Sequence, residues 1–159
     1  MYLIDGYNLL HRAAPGRANP AWRETLLARI EAWCRRTSHA ARVVFDPTAG
    51  LRRREARGGV EVRVVAEGRT ADDEIRKLLE GTSDRTAWTL VTNDLALVKA
   101  ADQRGFRVVT CEAFLQLIAP PEKDPDKREG ASESEVDFWL RDMGLEEEPG
   151  SGDPDTPGR

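Results

Sequence analysis

The amino-acid sequence predicts an α/β fold built on a five-stranded parallel sheet. Two observations carry that expectation. Short apolar runs alternate five times with stretches of helical periodicity, the pattern of successive β–α–β units. Three of the runs also end on an acid: Leu3-Ile4-Asp5, Val43-Val44-Phe45-Asp46 and Leu90-Val91-Thr92-Asn93-Asp94. Ligands of open α/β sheets sit beyond the carboxyl ends of the strands, so these acids point at one acidic site.

The first strand is the opening run to Asp5, followed by Gly6-Tyr7-Asn8. Leu9-Leu10-His11-Arg12 then lead into a loop through Pro15-Gly16. Asn19-Pro20 suits a helix start, with Asn as N-cap and Pro at the first helical position. Trp22, Leu26, Ile30 and Trp33 recur at helical spacing, flanked by Leu27 and Cys34, up to an end near Arg36-Thr37-Ser38. His11 and His39 read as loop or boundary residues rather than ligands.

Arg42–Asp46 is the second strand. The segment from Pro47 to Gly59 holds Arg52, Arg53, Arg54 and Arg57 and almost nothing apolar. Composition alone makes it a solvated loop. Because it springs from an Asp-terminated strand, its guanidinium forks also suit a polynucleotide backbone, where each phosphate contact releases counterions. Val60–Val65 reads as an edge strand with Glu61 and Arg63 on the exposed face.

After a turn at Ala66–Arg69, Thr70 caps a helix whose apolar face is Ile75, Leu78 and Leu79 and which ends at Gly81. Asp72, Asp73 and Glu74 fall in its first turn, where each acid gains roughly 0.3–1 kcal/mol from the macrodipole. Three consecutive acids exceed what capping requires. Ala87–Asp94 is a central fourth strand, and Leu95, Leu97, Val98 and Ala101 open a helix that Gly105 terminates. Phe106–Thr110 is the fifth strand and Cys111–Ile118 a short helix.

The expected α/β domain spans residues 1–119, and an acidic, Pro/Gly-rich tail spans 120–159. Within the tail, Ser132–Glu135 forms a capping box for a short amphipathic helix at about 132–143, with Val136, Trp139, Leu140 and Met143 on one face. Such a helix is marginal alone, so it either docks on the body, of this chain or a second copy, or serves as a partner motif. Residues 1–119 carry 19 Lys+Arg against 15 Asp+Glu, and the tail 5 against 13. A mildly basic body with an acidic site is unlike a bulk DNA binder and compatible with local phosphate contacts. No run reaches the roughly 20 apolar residues of a membrane span. No basic n-region precedes the first strand, so a cytoplasmic protein is expected, with Cys34 and Cys111 as reduced core thiols.

Asp5, Asp46, Asp94 and one or both of Asp72 and Asp73 should therefore converge at one rim. Two carboxylates about 4 Å apart repel by roughly 4 kcal/mol at an effective dielectric near 20. Protonation, an intervening Arg or Lys, or a hard cation would relieve that repulsion, and oxygen-only donors favour Mg²⁺ or Mn²⁺. A divalent ion among carboxylates is suited to phosphodiester hydrolysis. The sequence has no Walker loop, G-x-G-x-x-G, G-x-S-x-G or Cys/His pair to support a rival chemistry.

Four short pieces, Ile4-Asp5-Gly6-Tyr7-Asn8, Val44-Phe45-Asp46, Glu67-Gly68-Arg69-Thr70-Ala71-Asp72 followed by Ile75, and Val91-Thr92-Asn93-Asp94, occur in the order found in one family. Over about residues 1–118 the chain resembles the YacP-like group of the NYN branch of PIN-like ribonucleases. The resemblance implies a three-layer, Rossmann-like PIN domain with strand order 3-2-1-4-5 and metal-dependent cleavage of RNA. It places Mg²⁺ or Mn²⁺ on Asp5, Asp72 and Asp94, with Asp46 and Asn8 in support and Asp73 as second choice to Asp72. Many relatives have Thr-Ser-Asp where this chain has Thr92-Asn93-Asp94, a minor departure that keeps a polar group. The expected roles follow: Asp5, Asp72 and Asp94 catalytic; Asn8, Thr92, Asn93, Arg52, Arg53, Arg54 and Arg57 toward substrate. The implied partner is RNA, single-stranded or structured, with the translation machinery and a homodimer through the tail helix as further candidates. Two rivals are a PIN-like module that binds RNA or protein without cutting, and a phosphoacceptor receiver, for which Thr92 and Lys99 fit poorly.

Overall fold

The computed structural model describes residues 1–16, 19–47 and 54–120. Its elements run β1 (Tyr2–Asp5), α1 (Gly6–Ala13), α2 (Pro20–Thr37), β2 (Ala41–Phe45), β3 (Arg54–Arg57), β4 (Val60–Val64), α3 (Ala71–Gly81), β5 (Thr89–Val91), α4 (Leu95–Asp102), β6 (Arg107–Val109) and α5 (Cys111–Leu117). The expected helix at about 132–143 lies outside the described residues, as do Arg52 and Arg53. Among the described residues no helix is long and apolar enough to cross a membrane.

The sheet has the order β3-β4-β2-β1-β5-β6. Every pairing is parallel except β3 with β4. The five parallel strands take the expected order. The sixth, β3, corrects the reading of residues 47–59 as loop throughout: Gly58 and Gly59, with φ of 53° and 84°, turn the chain so that Arg54–Arg57 pairs back on β4. That placement moves β4 from the sheet edge to its interior. Glu61 and Arg63 are accordingly half-buried rather than on an open face, where Glu61 takes ion pairs from Arg42 (2.7 Å), Arg63 (2.8 Å) and Arg54 (2.8 Å).

Adjacent residues of the central strands feed opposite layers, as strand alternation requires. Ile4, Val43, Phe45 and Val91 join Leu9, Leu10, Leu26, Leu27, Ile30 and Phe114 of α1, α2 and α5 on one face. Leu3, Val44 and Leu90 join Ile75, Leu79, Leu97 and Ala101 of α3 and α4 on the other. Cys34 and Cys111 are both buried free thiols. His39 stacks on Trp33, ring centroids 5.0 Å apart, where Trp33 also meets Tyr2 at the amino end of β1. It is therefore remote from the acidic strand ends.

One helix was missing from the sequence reading. Residues after Asn8 form α1 rather than a lead into a loop, because Asp5 closes β1 and at once N-caps the helix, its Oδ1 accepting the Asn8 N–H at 3.1 Å. The strand-to-helix turn needs Gly6, since a Cβ there would lie 2.5 Å from the Phe45 ring. Helices α2, α3 and α5 begin where expected, capped by Asn19, Thr70 and Thr110.

Candidate active site

Asp94 repeats the Asp5 device one strand away: it ends the β5 connection and caps α4, its Oδ1 accepting the Leu97 N–H at 2.9 Å. Both acids thus sit at helix N-termini, where a negative charge is favoured. Asp46 follows β2 and accepts the Ala71 N–H on Oδ1 at 2.7 Å, fastening the start of α3 to the sheet. Asp72 is half-buried in the first turn of α3, while Asp73 is exposed.

The four acids act on one another. Burial pushes the Asp5 carboxyl above its usual range; hydrogen bonds from Asn8 and Thr92 oppose the shift, and the charges of Asp72 and Asp46 add to it. Burial also raises Asp72, followed by the charge of Asp94; Arg76 opposes, and Asp46 and Asp73 add further. The structure therefore gathers Asp5, Asp46, Asp72 and Asp94 at the carboxyl end of the sheet, with Asp73 beside Asp72 on the outer side.

Thr92 is fully buried. Its hydroxyl donates to Asp5 Oδ2 at 3.2 Å and accepts the Asp94 N–H at 3.1 Å, linking two of the acids. It was expected to face substrate; burial makes it a positioning residue instead. Asn93 is corrected in the same way. Its Oδ1 accepts the Cys111 N–H at 2.8 Å, and its Nδ2 donates to both oxygens of Glu112 at 2.9 and 2.8 Å, so its amide is spent on α5.

Asn8 differs. Its Oδ1 accepts the Asn93 N–H at 3.3 Å and the Cys111 thiol at 3.4 Å. Two donors on one side fix which amide atom is oxygen and turn the Nδ2 donors away from them. Burial, then the charges of Asp5 and Glu112, pushes the Cys111 thiol up to about 12, so it remains a donor. Sequence reasoning missed this support, including Glu112, which also pairs with Arg12 at 3.2 Å. The available signal was the third strand-to-helix switch, Thr110-Cys111-Glu112, which repeats the Asp5 and Asp94 pattern with the acid displaced into the helix.

The arginines divide. Arg54 lies level with Arg63 and Val44, toward the acidic end. Arg57 lies level with Val60 and Ala41, at the amino end of β4, and pairs with Glu24 at 3.0 Å. Arg57 was expected to contact substrate; the β3–β4 turn carries it to the wrong end of the sheet.

The donor set fits a hard divalent cation in its chemistry: oxygen-only carboxylates, two of them destabilised as anions by burial and by each other. Among the described residues, no three acidic, His or Cys side chains are already gathered as ligands of one ion. Asp5 has Oδ1 engaged in capping and Oδ2 by the Thr92 hydroxyl, and Asp94 has Oδ1 engaged in capping, so an ion would draw on the lone pairs that those bonds leave.

Residues 2–147 match the YacP-like NYN domain family. The match extends beyond the first 118 residues and takes in Trp139, so the tail is not foreign to the family. Similar solved structures include Rae1 (YacP) from Bacillus subtilis, 22% identical with a TM-score of 0.63 over 91% of this chain and 82% of that one. A mutant of the same Bacillus subtilis protein is 26% identical over 74% of this chain and 73% of that one, with a TM-score of 0.59. No curated protein matches the chain.

Proposed function

Because the chain belongs to the YacP-like NYN domain family, a family of ribonucleases, we propose that it is a metal-dependent enzyme hydrolysing phosphodiester bonds within RNA. The observation that carries this reading is the mutual repulsion among Asp5, Asp46, Asp72 and Asp94 at the end of the sheet where α/β proteins bind ligands. A fold seeking only stability would not bury Asp5 beside other acids. Mg²⁺ or Mn²⁺ would be held by Asp5, Asp72 and Asp94 with Asp46 in support, supplying charge for the attacked phosphate and an activated water.

The chain's own residues prepare the rest. Thr92 holds one oxygen of Asp5 and the backbone at Asp94, keeping these carboxylates in register. Asp72, half-buried in the first turn of α3, would complete the set around the ion or orient the attacking water. The Nδ2 donors of Asn8 would orient a phosphate oxygen, while the Asn93 N–H and the Cys111 thiol hold Asn8 Oδ1 from behind. Arg54 offers a guanidinium to the RNA backbone. A cytoplasmic location and an internal cleavage mode belong to the same proposal.

The test is cleavage of a labelled single-stranded RNA by wild type and Asp5→Asn in Mn²⁺, Mg²⁺ or EDTA. Asn preserves the N-cap but not the charge. Metal-dependent cutting by wild type, reduced at least about 100-fold in the variant, is expected. RNA binding by both proteins without cutting in either metal would favour a non-catalytic RNA-binding module.

A further inference from the structure

The β3–β4 hairpin and the turn before α3 enclose a cleft of about 300 Å³. Its polar lining is Arg54, Arg63, Arg69 and Glu74, and its apolar wall is Val64, Val65 and Ala66. The cleft lies at the carboxyl end of β4. The wall is joined to the acidic rim by short connections: Val65 N–H donates to the Phe45 carbonyl at 3.0 Å, and Ala71 N–H to Asp46 at 2.7 Å. We propose that this cleft is an anion subsite that holds a backbone phosphate of the bound RNA, one removed from the phosphate being attacked, with Arg69 and Arg54 as its principal contacts.

The charge balance supports this assignment. Glu61 is shared by Arg42, Arg54 and Arg63, and Arg63 also pairs with Glu74 at 3.1 Å. Four guanidiniums, counting Arg69, thus face two carboxylates, which leaves an excess of two positive charges. Among the described residues Arg69 has no ion-paired carboxylate, and it is exposed at the cleft mouth. Its turn is set by the Arg69 N–H bond to the Ala66 carbonyl at 3.1 Å and by Gly68 at φ 78°. Arg63 is pinned on both sides, so it supplies field and shape, while Arg54 and Arg69 can turn to a ligand.

Position determines which phosphate is bound. β4 lies two strands from β1 and three from β5, hence roughly 10–14 Å across the sheet from the ends that carry Asp5 and Asp94. A group held there is too far to be the scissile phosphate and close enough to belong to the same strand of RNA. Guanidinium forks match phosphate oxygens, and the apolar wall lowers the local dielectric.

This inference rests on RNA being the substrate, and the test separates the two claims. Binding of a fluorescein-labelled single-stranded oligoribonucleotide would be measured by anisotropy in EDTA across a salt series. Wild type, Arg69→Ala, Arg54→Ala and Arg107→Ala would be compared. Arg107 is exposed on β6, at the opposite edge of the sheet, and controls for net charge. Arg69→Ala is expected to weaken binding about 5–10-fold and flatten the salt slope by about 0.7, the value for one lost single-strand phosphate contact. Arg54→Ala should act in the same direction, and Arg107→Ala should change neither. In the cleavage assay Arg69→Ala should raise KM and leave kcat within about twofold. Equal losses in Arg69→Ala and Arg107→Ala, or no loss at Arg69, would overturn the subsite while leaving the ribonuclease reading intact. Failure of wild type to bind RNA at any salt would overturn both.

Discussion

At the residue scale, Asp5 shows how one side chain can serve fold and chemistry together. Its Oδ1 caps α1 and its Oδ2 takes the Thr92 hydroxyl, yet burial and neighbouring acids still raise its pKa. A carboxyl raised in the folded state binds its proton more tightly there than in the unfolded chain. Asp5 and Asp72 therefore favour folding below their ordinary value of 3.8, and that contribution is lost as pH rises through their raised values. In EDTA, the Tm of Asp5→Asn relative to wild type should climb as pH increases from 3.8 upward. A difference that stays flat with pH would contradict the strained anion. The acids themselves were legible because each ends an apolar run or opens a helix. The commitments of Thr92 and Asn93 were not, since their partners Asp5, Cys111 and Glu112 are supplied by other strands and helices.

At the element scale, the β3–β4 hairpin behaves oppositely with pH. Burial raises Glu61, but hydrogen bonds from Arg63 and Arg42, with their charges, outweigh it and hold the carboxyl at about 2. A depressed carboxyl contributes stability above its ordinary value of 4.5, and that stability is lost as pH falls from 4.5 to about 2. Glu61→Gln should cost on the order of 2 kcal/mol near neutral pH, since it leaves Arg42, Arg54 and Arg63 without their shared acceptor. The penalty, read from urea titrations, should fade across that acid window; a constant penalty would mean that packing rather than charge holds the hairpin. The hairpin escaped the sequence reading because Arg54–Arg57 carries no apolar alternation. Its residues form a strand because β4 presents an unpaired edge and Gly58-Gly59 can turn the chain back.

At the scale of the whole molecule, the acidic rim and the arginine cleft lie over neighbouring strand ends of one sheet, so a polyanion would span opposite electrostatic environments. The rim would have to be neutralised before the attacked phosphate of the proposed substrate could settle on it, which the proposed divalent ion would do, whereas the arginine cleft can hold a phosphate without it. Mn²⁺ or Mg²⁺ should accordingly raise the Tm of wild type. Linkage gives about 2.7 kcal/mol at a concentration 100-fold above Kd. The increment should be lost in Asp5→Asn and Asp94→Asn. Equal stabilisation of wild type and both variants would place the ion elsewhere.

The parallel strands and helices follow from local information, since alternating runs, N-caps and helical spacing specify elements, whereas the order of the strands was implied by the family resemblance. The sequence alone therefore determined the α/β class and which acids end its apolar runs or open its helices. Only the tertiary structure decided that β3 closes the sheet edge, that Arg57 lies at the wrong end, and that Asn93 and Thr92 act from behind the site. Those outcomes depend on which residues meet across sequence separations of up to 87 positions, as Thr92 meets Asp5. Periodicity and capping are short-range signals, and no local pattern encodes the partner that a buried polar group will find.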